Sequence, residues 1–170
     1  MDEGIPKIVF HALSDDVTVP ARETEGSAGY DVRAYLRGRS VRIRRGANGA
    51  TDEVRTVAGR LQLEPGDTAL VPTGFKARVP RGYEAQVRIR SSIAFKRGLI
   101  LPNAPGTIDA DYPDEWLIML RNDSRRSAAI EHGERIAQVI LNRFAVLEWE
   151  PGEVGVSTDR RGGFGSTGES

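Results

Sequence analysis

Apolar side chains recur along this chain with period two or in short runs of Val, Ile and Leu, and Gly, Pro or Asn interrupts them every few residues. Extended backbone points successive side chains to opposite faces, so this pattern reads as strands with one face on a core. It predicts strands over residues 7–13, 30–36, 40–44, 60–63, 68–72, 75–79, 83–90, 116–122, 137–144 and 146–150. Strands so short and numerous define an all-β chain, a sandwich, barrel or jelly roll. Turn chemistry falls between them. Glu64-Pro65-Gly66-Asp67, Pro72-Thr73-Gly74, Pro80-Arg81-Gly82 and His132-Gly133-Glu134 each place Pro or Gly where the chain reverses. One stretch has helical character, SIAFK at 92–96, opened by a Ser cap and closed by Gly98.

Two stretches depart from the pattern. Residues 37–59 are rich in Arg and Gly and contain GANGATDE, which predicts an inserted hairpin or loop. The alternation in SVRIRR makes Arg37, Arg39, Arg42, Arg44 and Arg45 a solvated strand face rather than a grip on nucleic acid. Residues 157–170, STDRRGGFGSTGES, carry too much Gly to hold structure alone. The expectation is one domain over 1–156, followed by an arm over 157–170.

Composition narrows the function classes. A length of 170 residues suits one domain that buries its own core. Lys plus Arg and Asp plus Glu both total 24, so the overall charge drives the chain toward neither polyanions nor acidic membranes. The chain has no Cys, which removes disulfides and thiolate chemistry and suits a reducing compartment, so a cytoplasmic protein is expected. The N-terminal MDEGIPKIVF is acidic, and every apolar run falls far below the roughly 18 residues of a membrane helix.

GTIDADY at 106–112 sets two carboxylates and an aromatic close together just before a predicted strand, where a hairpin tip would present them. Asp109 and Asp111 there are equally good turn formers. A calcium loop does not fit DADYPDEW, because counting from Asp109 puts Asp114 where Gly is needed and Leu120 where Glu is needed. GGFGSTG can expose backbone N–H groups and hydroxyls to phosphates, but it lacks the Lys and following helix of a P-loop. Arg90-Ser91-Ser92 ends a strand and opens the helix, so a guanidinium and backbone donors there serve either an anion or an ordinary helix start. His11 and His132 stand apart without metal-ligand spacing, and no G-x-S-x-G elbow is present, leaving water as the nucleophile.

Taken in order, SAGYDVRA (27–34), RSSIAFKRGL (90–99), NAPGTIDADY (103–112), GERIAQVI (133–140) and GGFGSTG (162–168) resemble the five motifs of the trimeric dUTP pyrophosphatases. The resemblance runs from Ser27 to the arm and leaves out the insertion at 37–59. It implies a distorted jelly roll with one short helix, assembled as a homotrimer whose sites draw on all three chains. It also implies hydrolysis of dUTP to dUMP and pyrophosphate, which keeps uracil out of DNA and supplies dUMP for thymidylate synthesis. Asp109 matches the carboxylate that deprotonates the attacking water. Tyr112 matches the ring under the deoxyribose, and the 103–108 hairpin, with Asn103 and the main chain of Gly106 and Ile108, matches the uracil reader. Arg90, Ser91, Ser92 and Gln138 fall at phosphate contacts. Mg²⁺ is the implied cofactor, held mainly by phosphates and water, with Asp31 and Gln138 behind it. In the arm, Phe164 matches the aromatic that stacks on uracil, and Gly165, Ser166 and Thr167 match further nucleotide contacts.

Two positions depart from the pattern. Ser92 stands where the pyrophosphatases usually carry Gly and the related dCTP deaminases carry Ser, which makes deamination the rival reading. The deaminases also need a Glu in the following strand, where WLIMLRN offers Met119. In the arm, Asp159-Arg160-Arg161 abuts Gly162, so either Arg160 or Arg161 fills the arm's arginine role. A third reading is a regulatory protein on the same scaffold that meets a protein partner through 37–59.

Overall fold

Alternation closes the chain into two sheets around one core in the computed structural model, which describes residues 4–46 and 51–155. In chain order the elements are β1 (Val9–Ala12), β2 (Ala21–Arg22), β3 (Tyr30–Arg33), β4 (Arg37–Arg45), β5 (Thr51–Ala58), β6 (Arg60–Leu63) and β7 (Thr68–Arg78), followed by β8 (Tyr83–Ile89), α1 (Ser91–Arg97), β9 (Leu99–Ile100), β10 (Gly106–Ile108), β11 (Glu115–Asn122), β12 (Ala128–Glu131) and β13 (Arg135–Arg143). The larger sheet runs β5-β4-β7-β11-β9 with β1 also on β7; the second runs β10-β8-β13-β3-β2, and β12 and β6 form a small third ribbon. Inward positions such as Val41, Ile43, Val71, Phe75, Ile118 and Leu120 from the first sheet meet Val32, Ala85, Ala137 and Val139 from the second in one buried cluster. The result is the expected all-β jelly roll. Among the described residues α1 is the one helix, and no helix is long and apolar enough to cross a membrane.

The insertion is a hairpin that belongs to the core. β4 pairs with β5 along its length and with β7 through Arg42, Ile43 and Arg44. Val41 and Ile43 are fully buried and Val57 nearly so. Its arginines all meet acids: Arg37 with Asp16, Arg39 with Glu115, Arg42 and Arg44 with Asp52, Arg45 with Glu53 and Asp67, and Arg55 with Glu53. Asp67 anchors the base of the hairpin. It is 2% exposed and accepts hydrogen bonds from the Gly46 N–H (3.0 Å), the Glu64 N–H (3.0 Å) and Arg45.

Several expectations need correction. The turn expected at Pro72-Thr73-Gly74 lies inside the continuous strand β7, at a register shift opposite Glu115 and Leu117. Side chains replace the lost ladder bonds there: Thr73 Oγ1 donates to the Trp116 carbonyl (2.7 Å), and the Gly74 N–H donates to Glu115 (2.7 Å). The helix starts at Ser91, with Arg90 as its N-cap and no side-chain cap, so the expected Ser cap is absent. Residues 146–150 form no strand; Val146, Leu147 and Trp149 are 86%, 64% and 92% exposed, so a period-two pattern there found no sheet to join. Strands β2, β9 and β12 were not expected, each being short or set within turn-rich sequence, while β5 and β10 fall inside the segments expected as hairpins.

Candidate active site

The sequence-predicted residues gather into two groups at opposite flanks of the second sheet. The first surrounds Asp31 on β3. β13 lies between β3 and β8, with Gln138 paired to Asp31 on one side and Arg88 on the other. Asp31 is 7% exposed, yet its carboxylate accepts hydrogen bonds from Arg135 Nη1 (2.9 Å) and Gln138 Nε2 (3.2 Å) and forms an ion pair with Arg90 Nε (3.2 Å). A buried carboxylate needs such partners, and their convergence on Asp31 ties β3, β8 and β13 together at this point. Arg135 was not singled out from sequence. The register shift between Arg135 and Ala137 lets it share Asp31 with Gln138 despite odd spacing. Hydrogen bonding to Asp31, with Glu23 as a second anion, holds the Arg135 guanidinium above its ordinary range. Gly29 fits beneath Gln138; a Cβ there would lie 3.1 Å from the Gln138 side chain.

Arg90 follows β8 as the N-cap of α1, and Ser91 and Ser92 stand exposed on the first turn of that helix. Arg90, Ser92, Lys96, Arg97 and Arg135 wall a cavity of about 320 Å³ beside this group. Cations and hydroxyls around an open cavity suit a polyphosphate.

The second group is the 103–112 segment. β10 pairs with β8, Gly106 opposite Val87 and Ile108 opposite Ala85, and it is the edge strand of its sheet. An edge leaves one row of main-chain donors and acceptors free to read a ligand. Gly106 is buried, and a Cβ would come within 3.2 Å of Asn103 Nδ2, so Gly lets Asn103 pack closely on the hairpin. The Ala104-Pro105 bond in its loop is cis. Beside the hairpin lies a cavity of about 50 Å³ lined by Val87, Leu101, Asn103, Gly106, Leu117 and Met119. Past β10, the Tyr112 N–H donates to the Asp109 carbonyl (3.3 Å), and the Tyr112 hydroxyl donates to the Glu115 carbonyl (3.3 Å). Asp109 is therefore both a turn former and a presented carboxylate, exposed beside the half-exposed Tyr112 ring. The turn is what brings the two side chains to one tip.

One chain does not bring the two groups together. Ile108 faces Ala85, five residues before Arg90, which is about 16 Å along a strand. Arg90 also leans across β13 to β3, while β10 lies on the other flank of β8. Arg160, Arg161, Phe164, Gly165, Ser166 and Thr167 lie outside the described residues.

A jelly roll with a cation-lined cavity at one flank and an exposed carboxylate at the other has the chemistry of a nucleotide hydrolase. The dUTPase family model matches residues 56–168. A deoxyuridine 5'-triphosphate nucleotidohydrolase of Desulfotalea psychrophila is 42% identical over 91% of this chain and 90% of its own length. Among solved structures, the Staphylococcus bacteriophage 80alpha dUTPase with dUPNHPP is 25% identical, with a TM-score of 0.73 over 95% of this chain and 98% of that one. A mutant dUTPase from phage phi11 of S. aureus, described for its coordination of a structural Mg(II) ion, shares the fold at 20% identity and a TM-score of 0.68, over 89% of this chain and 99% of that one. The chain belongs to the dUTPase family.

Proposed function

We propose that this chain, a dUTP nucleotidohydrolase, cleaves dUTP to dUMP and pyrophosphate in sites that each combine the Asp109 tip of one copy with the Arg90 and Gln138 cluster of another. The observation that carries this reading is the separation just described, which is longer than a triphosphate. A homotrimer completes such sites by setting one copy's tip against the next copy's cluster. The exposed apolar side chains of Val146, Leu147, Trp149 and Val154 support assembly, since a neighbouring copy would take them out of water.

In the complete site, the free main-chain row of β10 pairs with the uracil edge and Tyr112 lies beneath the deoxyribose. Asp109 takes a proton from water as its oxygen attacks the α-phosphorus, and pyrophosphate leaves. Arg90, Ser91, Ser92 and Gln138 hold the phosphates, and Asp31 keeps Arg90 and Gln138 oriented. The arm from residue 157, through Arg160 or Arg161, Phe164 and Gly165 to Thr167, covers the nucleotide and excludes water.

Asp31 is already engaged by Arg90, Arg135 and Gln138, and the described residues hold no cluster of three or more His, Asp or Glu suited to a metal. They fit an ion carried by the phosphates and water, with Gln138 and Asp31 behind it, rather than a protein cage. Mg²⁺ so held would neutralise phosphate charge.

Met119 bears on the deaminase rival. It lines the cavity beside the hairpin, so a thioether stands where deamination needs a carboxylate to shuttle protons. A protein partner at 37–59 would meet arginines already paired to acids. A cytoplasmic setting completes the reading, with no Cys for a reducing compartment to protect. Purified protein with Mg²⁺ is expected to release pyrophosphate from dUTP and no ammonia from dCTP. Ammonia release with dUTP left intact would overturn the reading.

A further inference from the structure

The neutral whole-chain balance conceals an uneven surface. Between α1 and the loop from β11 to β12 runs a groove of about 790 Å³, walled by Arg60, Phe95, Lys96, Arg97, Arg125 and Arg126. Two of its cations are satisfied: Arg60 pairs with Glu131 (2.7 Å), and Arg97 pairs with Glu134 while donating to the Ala129 carbonyl (2.8 Å). Lys96, Arg125 and Arg126 are exposed and carry no ion pair among the described residues. That sets them apart from the hairpin arginines, each of which meets an acid.

The loop that carries Arg125 and Arg126 is built rather than slack. Asn122 is fully buried, donates to the carbonyls of Leu63 (2.9 Å) and Arg126 (2.8 Å), and accepts from the Ser124 N–H (3.0 Å). The Asp123 N–H donates to the Gly98 carbonyl (2.9 Å), and a Cβ on Gly98 would lie 2.8 Å from Ser124 Cβ. Loop and helix end are thus held together, which fixes the backbone that carries the free cations on both walls. A fixed backbone spares an incoming anion the ordering of the loop itself. Between them Phe95 is 93% exposed, the full face of an aromatic ring set among charges.

We propose that this groove binds single-stranded nucleic acid, with Lys96, Arg125 and Arg126 on phosphates and Phe95 stacked on a base. Cations alone would accept any polyanion. The ring selects a strand whose bases are unpaired, since a duplex hides their faces. An acidic protein or inorganic polyphosphate would engage the cations and leave Phe95 idle.

The test is fluorescence anisotropy of a short labelled oligothymidylate titrated with the full-length protein across a range of salt. Three neutralised phosphates on a single strand give a log-affinity against log-salt slope of about −2. The double variant Arg125→Ala/Arg126→Ala should flatten that slope to about −0.7. Phe95→Ala should weaken the oligothymidylate about tenfold and leave inorganic polyphosphate unaffected. Both variants lie outside the nucleotide site, so unchanged dUTP hydrolysis certifies their fold. The proposal is overturned by no anisotropy change at low salt, by equal oligothymidylate binding to Phe95→Ala, or by displacement with polyglutamate as effective as with unlabelled strand. It is also overturned if a nonhydrolysable dUTP analogue abolishes binding, which would place the strand in the nucleotide site.

Discussion

Mixing the variants Asp109→Asn and Arg90→Ala should regenerate dUTP hydrolysis once their subunits exchange. Alone, Asp109→Asn keeps the shape of the turn and removes the base, for an expected loss of about 10²–10⁴-fold in turnover. Arg90→Ala removes the proposed phosphate contact and the ion pair with Asp31. Within a chain the two positions are about 16 Å apart along β8 alone, so a site that needs both takes them from different copies. In randomly mixed trimers, half of the Asp109 donors and half of the Arg90 donors are intact, so about a quarter of sites hold both. A chain bearing both substitutions, mixed equally with wild type, should likewise leave about a quarter of sites active; a site within one chain would leave about half. The assay is pyrophosphate release, with exchange verified by native mass spectrometry of a tagged variant. Verified mixed trimers without recovery would refute the shared site.

Three further outcomes follow from the same structure. Asp67→Asn removes the charge that accepts from Gly46, Glu64 and Arg45, and should lower stability by about 1.5–3 kcal/mol, a fall of about 3–12 °C in thermal midpoint. Burial pushes Asp67 up, but the Gly46 amide, Arg45 and the Glu64 amide outweigh it and hold the carboxyl below its usual range. A depressed folded value means that the contribution is complete above the unfolded carboxylate range near ~3.9 and fades as pH falls through the folded value, so the gap between wild type and variant should close in strong acid. Gly74→Ala forces a Cβ at φ +79°, 2.8 Å from both Tyr35 and Val17, and should destabilise the fold by about 2 kcal/mol or more in chemical denaturation. Truncation after residue 156 should abolish turnover while light scattering still reports trimers; loss of the trimer would make the arm structural.

Much of this fold was legible because side-chain period and core position agree. Residues 60–63 matched β6 end to end, and Trp116 to Asn122 read correctly because alternate positions there are buried. The misses have physical causes. Pro72-Thr73-Gly74 carries turn residues, and partners distant in sequence, Glu115 and the Trp116 carbonyl, keep β7 continuous. Val146 to Glu150 alternates like a strand but pairs with no strand among the described residues. At the site, Asp109 was ambiguous in sequence because the turn that it closes through its carbonyl also leaves its carboxylate exposed. Arg135 was invisible because a register shift, which leaves no mark in sequence, aims it at Asp31.

β5 is the outer strand of the larger sheet, so one row of its peptide groups faces solvent. Such a row is where separate molecules can join sheets and aggregate. Here it is guarded by Asp52 and Glu53, which hydrogen bonds to Arg44 and Arg45 hold below the usual carboxylate range. The guard therefore survives mild acid, where free carboxylates begin to discharge. The colloidal stability of concentrated protein in mild acid rests on these cross-strand pairs, and a hairpin stripped of its acids would be the first place for fibres to start.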